Sequence, residues 1–177
     1  MHEVMIDLET MGTKPNAAIV AIGAVAMDFD SRTLGPQFYT VVDLESSVAQ
    51  GGVMAPATVL WWLGQSDEAR AEFKFKKGCH INVALVQFSE YLRKESGDRP
   101  VHLWGNGAAF DNVVLRSAYE RSGITPPWGY QGDRCYRTVA ALNPKIPKTK
   151  PTLAHNALED AHAQAEQLLN ILRRGKP

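Results

Sequence analysis

The stretch EVMIDLET, residues 3 to 10, constrains this chain more than any other segment. Val4, Ile6 and Leu8 alternate with Met5, Asp7 and Glu9, the period-two pattern of a β-strand whose successive side chains point to opposite faces. A strand with so apolar a face belongs inside a sheet, yet two carboxylates share its other face. At that spacing they lie about 6 to 7 Å apart along the chain, close enough for both to reach one divalent cation. Without a positive partner, two charges in a core strand are costly. The competing explanation is that Glu9 ends the strand in solvent and only Asp7 needs a partner, such as a lysine.

The remaining pattern supplies a sheet around this strand. Ala18 to Asp28 is an apolar run rich in Val and Ile, and Gln37 to Val42 is a third candidate strand; short connections favour an antiparallel meander. Helical periodicity follows at Ala55–Leu63 and Asn82–Lys94, where Leu85, Phe88 and Leu92 share one face. VHLW, residues 101 to 104, is a buried strand closed by Gly105-Asn106-Gly107; it leads into a helix from about Ala109 to Arg121, with Gly123 as C-cap. A strand or helix start is expected around Cys135–Val139. The three prolines of NPKIPKTKP make that segment loop, and the last helix covers roughly Ala157 to Arg173. No repeat or linker divides the chain, so one α/β domain with a mixed sheet is expected over residues 1–177.

Two more acids stand where acids are unexpected. Asp111, Val114, Leu115 and Ala118 fall on one helical stripe, so Asp111 heads the face that packs on the core. A helix dipole favours an acid in the first turn, but an exposed acid would serve equally well. In HNALEDA, Asn156 and Glu159 form an Asn version of the capping box, which starts the helix near Ala157 and leaves His155 on the preceding loop. Asp160 then lies at the edge of the stripe Ala161, Ala165, Leu168 and Leu172. On a continuous helix His155 and Asp160 would diverge by about 140°, so they face one site only because the cap places the histidine outside.

Acids converging from separate elements suit phosphodiester hydrolysis with two metal ions about 3.5 to 4 Å apart. Oxygen-only ligands favour Mg²⁺ or Mn²⁺ over zinc. A histidine on a loop, with an ordinary pKa of about 6.5, can take the proton from an attacking water.

DLET, the Phe110-Asp111 pair, and His155 with four residues before Asp160 occur in the order and spacing of the DEDDh 3′–5′ exonucleases, a family of the ribonuclease H-like superfamily. WGNGAAFDNVVLRSAYE resembles the small phage and prophage exonucleases, among them the exodeoxyribonuclease VIII-like group, and the likeness runs from Met5 to about Leu172. The resemblance implies a ribonuclease H-like fold with a central mixed five-stranded sheet flanked by helices. It implies that Asp7 bridges two metal ions, that Glu9 and Asp160 bind one each or act through water, that Asp111 works through water, and that His155 is the general base. Thr10 would lie against a terminal 3′-hydroxyl, and Leu8 or Met11 would wedge against the last base beside Phe110. Where other members often have a small residue or an extra aromatic near the first motif, this chain has Met11-Gly12. The partner implied is DNA or RNA with a free 3′ end; dimers are common among similar enzymes, which leaves a homodimer open. An endonuclease of ribonuclease H or resolvase type and a non-catalytic nucleic-acid-binding module are the alternatives.

Charge adds a surface to this reading. The formal net charge is +0, but Arg134 to Leu158 contains no acid while Arg134, Arg137, Lys145, Lys148 and Lys150 fall inside it. Such a segment can meet a polyanion, with Lys148 and Lys150 as candidate contacts, or can simply be a solvated loop. Asn106 holds its turn or touches substrate, the turn being preferred. Trp61 and Trp62 point about 100° apart on a helix, so at most one can face a site, and core packing is preferred for both and for Trp104. The longest apolar run, Ala17 to Met27, is too short for a bilayer, and no secretory signal is seen, so a cytoplasmic protein is expected. Cys79 and Cys135 form no CxxC pair and suggest neither disulfide nor zinc site.

Overall fold

The computed structural model describes residues 1–74 and 77–174. Strands β1 (Glu3–Thr10), β2 (Ile19–Asp28) and β3 (Thr33–Val41) form the antiparallel meander, and β4 (His102–Gly105) and β5 (Asp133–Cys135) add in parallel on the other side of β1. The order β3-β2-β1-β4-β5 makes β1 the middle strand of a mixed five-stranded sheet, as its apolar face demands.

Each face of β1 meets a different cover. Val4, Ile6 and Leu8 pack under α4 (Ile81–Ser96) and α5 (Asp111–Arg121), against residues such as Leu85, Phe88, Leu115 and Tyr119. Met5, on the acid face, packs with Val25, Trp104, Leu168 and Leu169 under α7 (Ala157–Arg174) and α6 (Tyr136–Leu142). The acids of β1 therefore look toward α7. Gly23, paired with Asp7 across the sheet, makes that approach possible: a Cβ there would lie 2.2 Å from the Ala157 carbonyl, so only glycine lets the first turn of α7 descend beside Asp7.

Some elements differ from expectation. β3 begins at Thr33 rather than Gln37, because Gly35-Pro36 continues an edge strand, where a missing N–H costs no ladder bond. Around Cys135 both readings occur in turn, β5 ending where α6 begins. Two helices went unread: α1 (Leu44–Ala49), a six-residue turn capped by the Asp43 carboxylate, and α3 (Asp67–Lys74). The first is too short for a period to show, and the second is dominated by charge. Between them, α2 (Pro56–Leu63) buries Trp62 with Met11, Ala18, Val20 and Ala69. Among the described residues no helix is long and apolar enough to cross a membrane.

Candidate active site

Asp7 and Glu9 from β1 and Asp160 from α7 bring carboxylate oxygens within 4.8 Å of one another. One turn after Asp160, Gln164 donates from Nε2 to Asp7 Oδ1 at 2.8 Å, while its own Oε1 is buried with no partner. Asp111 opens α5 fully buried, and its carboxylate accepts the backbone N–H groups of Asn106 and of Leu8, the neighbour of Asp7. Close approach decides the residue before that turn. A Cβ at Gly105 would lie 2.4 Å from the Asn112 amide oxygen and 3.0 Å from Asp111 Cβ.

This crowding raises every carboxyl pKa in the cluster. Burial pushes Asp7 well above its ordinary value, and the charges of Asp111 and Glu9 add to it, with the Gln164 hydrogen bond opposing. Burial, then Asp160 and Asp111, push Glu9 to about 8. Burial raises Asp111 to about 7 against its two N–H donors and the nearby Arg137. Asp160 is raised by burial and held back by the His155 N–H and charge. Acids that face one another in this way are anionic together only if cations lie among them.

His155 stands outside α7, as the cap pattern requires: Asn156 Oδ1 accepts the N–H groups of Leu158 and Glu159, both at 3.1 Å. The loop holds His155 at φ 64, a left-handed conformation, and turns its N–H onto Asp160 Oδ2 at 2.9 Å. Its ring meets the edge of Trp61, centroids 4.9 Å apart and planes at 84°. The expectation that both adjacent tryptophans pack in the core therefore holds for Trp62 alone. Trp62 is buried and donates to the Thr10 carbonyl at 3.0 Å, while Trp61 is 45% exposed beside the histidine.

Clefts open on either side of the acids. One, of about 470 Å³, is lined by Glu9, Leu8, Thr10, Phe110 and Trp61. The other, of about 710 Å³, has Asp160 and Gln164 on its wall with Asn106, Arg137 and Lys148. Met11, expected as a wedge, is instead 5% exposed within the Trp62 cluster, because the chain after Thr10 turns inward. Lys150 is exposed and outside the second cleft's lining, so the two candidate lysines separate. At the turn, the Asn106 N–H supports Asp111 and its carbonyl accepts from Arg137 at 2.6 Å. Gln164 and the Trp61–His155 contact were missed, and Arg137 was legible only as one of the cations of the basic segment. Gln164 had a signal, a polar residue four places after Asp160 on a core-facing stripe.

The 3′–5′ exoribonuclease Rv2179c-like domain matches residues 2–172. The chain belongs to that family. Its match thus spans every residue of the cluster, and the mixed five-stranded sheet flanked by helices is the ribonuclease H-like fold seen in exonuclease I structures. An exodeoxyribonuclease of Enterobacteria phage T4 is 27% identical over 128 residues, 65% of this chain and 54% of that protein. Among solved structures, Escherichia coli exonuclease I in a zinc-bound complex with single-stranded DNA superposes with TM-score 0.68 at 19% identity, over 98% of this chain and 40% of that one. The nuclease domain of 3′hExo, a DEDDh family member bound to rAMP, gives TM-score 0.66 at 14% identity, over 98% and 92%. The family member thus shares its fold with these enzymes, and it spans about half the length of the phage relative and two fifths of exonuclease I.

Proposed function

We propose that this chain is a divalent-metal-dependent 3′–5′ exonuclease that removes nucleoside 5′-monophosphates from a free 3′ end, with one domain over residues 1–177 carrying the site. The observation that carries the reading is the convergence of Asp7, Glu9 and Asp160 oxygens within 4.8 Å, with buried Asp111 beside them. The donor set fits the metal: all four ligands are carboxylates, which suits hard Mg²⁺ or Mn²⁺. Asp7, Glu9, Asp111 and Asp160 would hold the divalent ions. Ions bound there would supply an activated water and charge stabilisation for the leaving 3′-oxygen.

The chain's own groups do the rest. Gln164 donates to Asp7 Oδ1 and so fixes the orientation of that carboxylate. His155 takes the proton of the attacking water, its loop anchored by the Asp160 contact and its ring steadied against Trp61. Leu8, Thr10, Phe110 and Trp61 accept the terminal nucleoside in the smaller cleft, while Lys148 and Arg137 meet phosphates along the larger one. The phage relative and the WGNGAAFD stretch support a place beside the small phage and prophage exonucleases.

Digestion of 5′-labelled single-stranded RNA and DNA oligonucleotides tests this. A ladder shortening from the 3′ end with Mg²⁺ or Mn²⁺, absent with EDTA, is the expected result, and comparison of the two ladders reads the sugar preference. Internal cuts would replace the assignment by an endonuclease. Binding without cleavage would leave a non-catalytic module.

A further inference from the structure

At the start of β1, about 13 Å from Asp7 by strand rise, three chelating side chains meet. Glu3, 7% exposed, pairs with His102 of β4, whose Nδ1 lies 2.7 Å from Glu3 Oε1; His2 Nε2 lies 3.5 Å from the same oxygen. All three ligand atoms fall within 4.8 Å of one another. The Trp104 indole N–H donates to Glu3 Oε2 at 2.6 Å, which turns Oε1 toward the two histidines. We infer that His2, Glu3 and His102 form a second metal site, distinct from the carboxylate cluster and suited to a zinc-class ion.

The donor chemistry separates the two sites. Two imidazole nitrogens and one carboxylate oxygen match zinc, whereas four carboxylates match magnesium. In a tetrahedral zinc site, bonds of about 2.0 to 2.1 Å place ligand atoms about 3.3 Å apart. The His2–Glu3 separation already fits, and the His102–Glu3 contact needs to open by about half an ångström. His102 would bind through Nδ1 as the neutral tautomer protonated at Nε2. The Trp104 donor is the outer partner that holds a ligating carboxylate in place. Beside the site is a hollow of about 60 Å³ whose lining includes His2, Glu3, Asp28, Asp30 and Arg99 along with Met1, Met27 and Phe29, room for a water at the fourth position. The chain's amino group is turned away, donating to the Glu95 carbonyl at 2.7 Å. An ion here fastens the first residues of β1 to β4, which pairs with it in parallel.

The test uses the full chain carrying Asp7→Asn and Asp160→Asn, which disables the carboxylate cluster. Titration with Zn²⁺ is expected to show one ion bound and a higher Tm, and Co²⁺ to give the visible absorption of a four-coordinate ion. His2→Gln and His102→Gln, each added to that background, are expected to weaken binding more than about tenfold with unchanged far-UV circular dichroism. In the otherwise native chain, His2→Gln leaves Mg²⁺-dependent hydrolysis unchanged. His2 is partly exposed, so its loss does not threaten folding. Zinc affinity in both histidine variants unchanged from that of the doubly substituted background, or no uptake by that background, overturns the site.

Discussion

Strand β1 carries acids at both ends of one face, and the two ends are built in opposite ways. Glu3 is 7% exposed, and its oxygens meet the His102 ring and the Trp104 N–H. Asp7 and Glu9 meet other acids, Asp111 and Asp160, with the amide of Gln164 as the donor to Asp7. Burial is common to both ends. What differs is the chemistry of the neighbours: donors satisfy a carboxylate, whereas further carboxylates leave it dependent on a cation.

Substitution at each end breaks the comparison in a different observable. Asp7→Asn is expected to lower kcat by about 10³-fold or more, the several kcal/mol that metal-held charge contributes to the transition state, while the fold stays intact. Normal turnover by that variant would sink the assignment. His155→Gln is expected to slow hydrolysis by about 10²-fold or more and leave Mg²⁺ affinity nearly unchanged; an equal loss of metal binding would make the histidine a ligand.

At the other end, Glu3→Gln is expected to leave Mg²⁺-dependent turnover alone and to cost about 1 to 3 kcal/mol of stability, since it weakens two hydrogen bonds to a buried charge. Denaturant unfolding reads this, and a fall in kcat without loss of stability would contradict it.

The contrast also has a pH signature. Carboxyls raised in the folded state bind protons more tightly there than in the unfolded chain, where they titrate near pH 4. Their stabilising protonation is therefore present at low pH and lost as pH rises through about 7 for Asp111 and about 8 for Glu9. In EDTA, Tm should fall across that window, Asp7→Asn should blunt the fall, and Mg²⁺ should offset it most at the alkaline end. A Tm independent of pH and metal would remove the electrostatic account. The smallest effect concerns the lysines: Lys148→Glu should raise KM severalfold and flatten its salt dependence, Lys150→Glu less so, because only Lys148 lines the larger cleft. Equal effects would place both on the substrate path.

Much of this architecture was legible in local pattern. The alternation in β1, the apolar run of β2 and the Asn156 cap are read from neighbouring residues, because strand parity and cap hydrogen bonds are local. The cap even placed His155 outside its helix. Met11 escaped because nothing local shows that the chain after β1 turns into the Trp62 cluster, and Trp61 escaped because helix geometry says that adjacent residues diverge without saying which one meets His155.

Spacing alone establishes that Glu3, Asp7 and Glu9 share one face of a strand. Which of them joins the carboxylate cluster depends on partners roughly 100 to 160 residues away in the chain: His102 and Trp104 arrive beside Glu3, Asp111 and Asp160 beside Asp7 and Glu9. Charge interactions follow distance in space, and only the folded topology, with Gly23 and Gly105 permitting the close approaches, sets those distances.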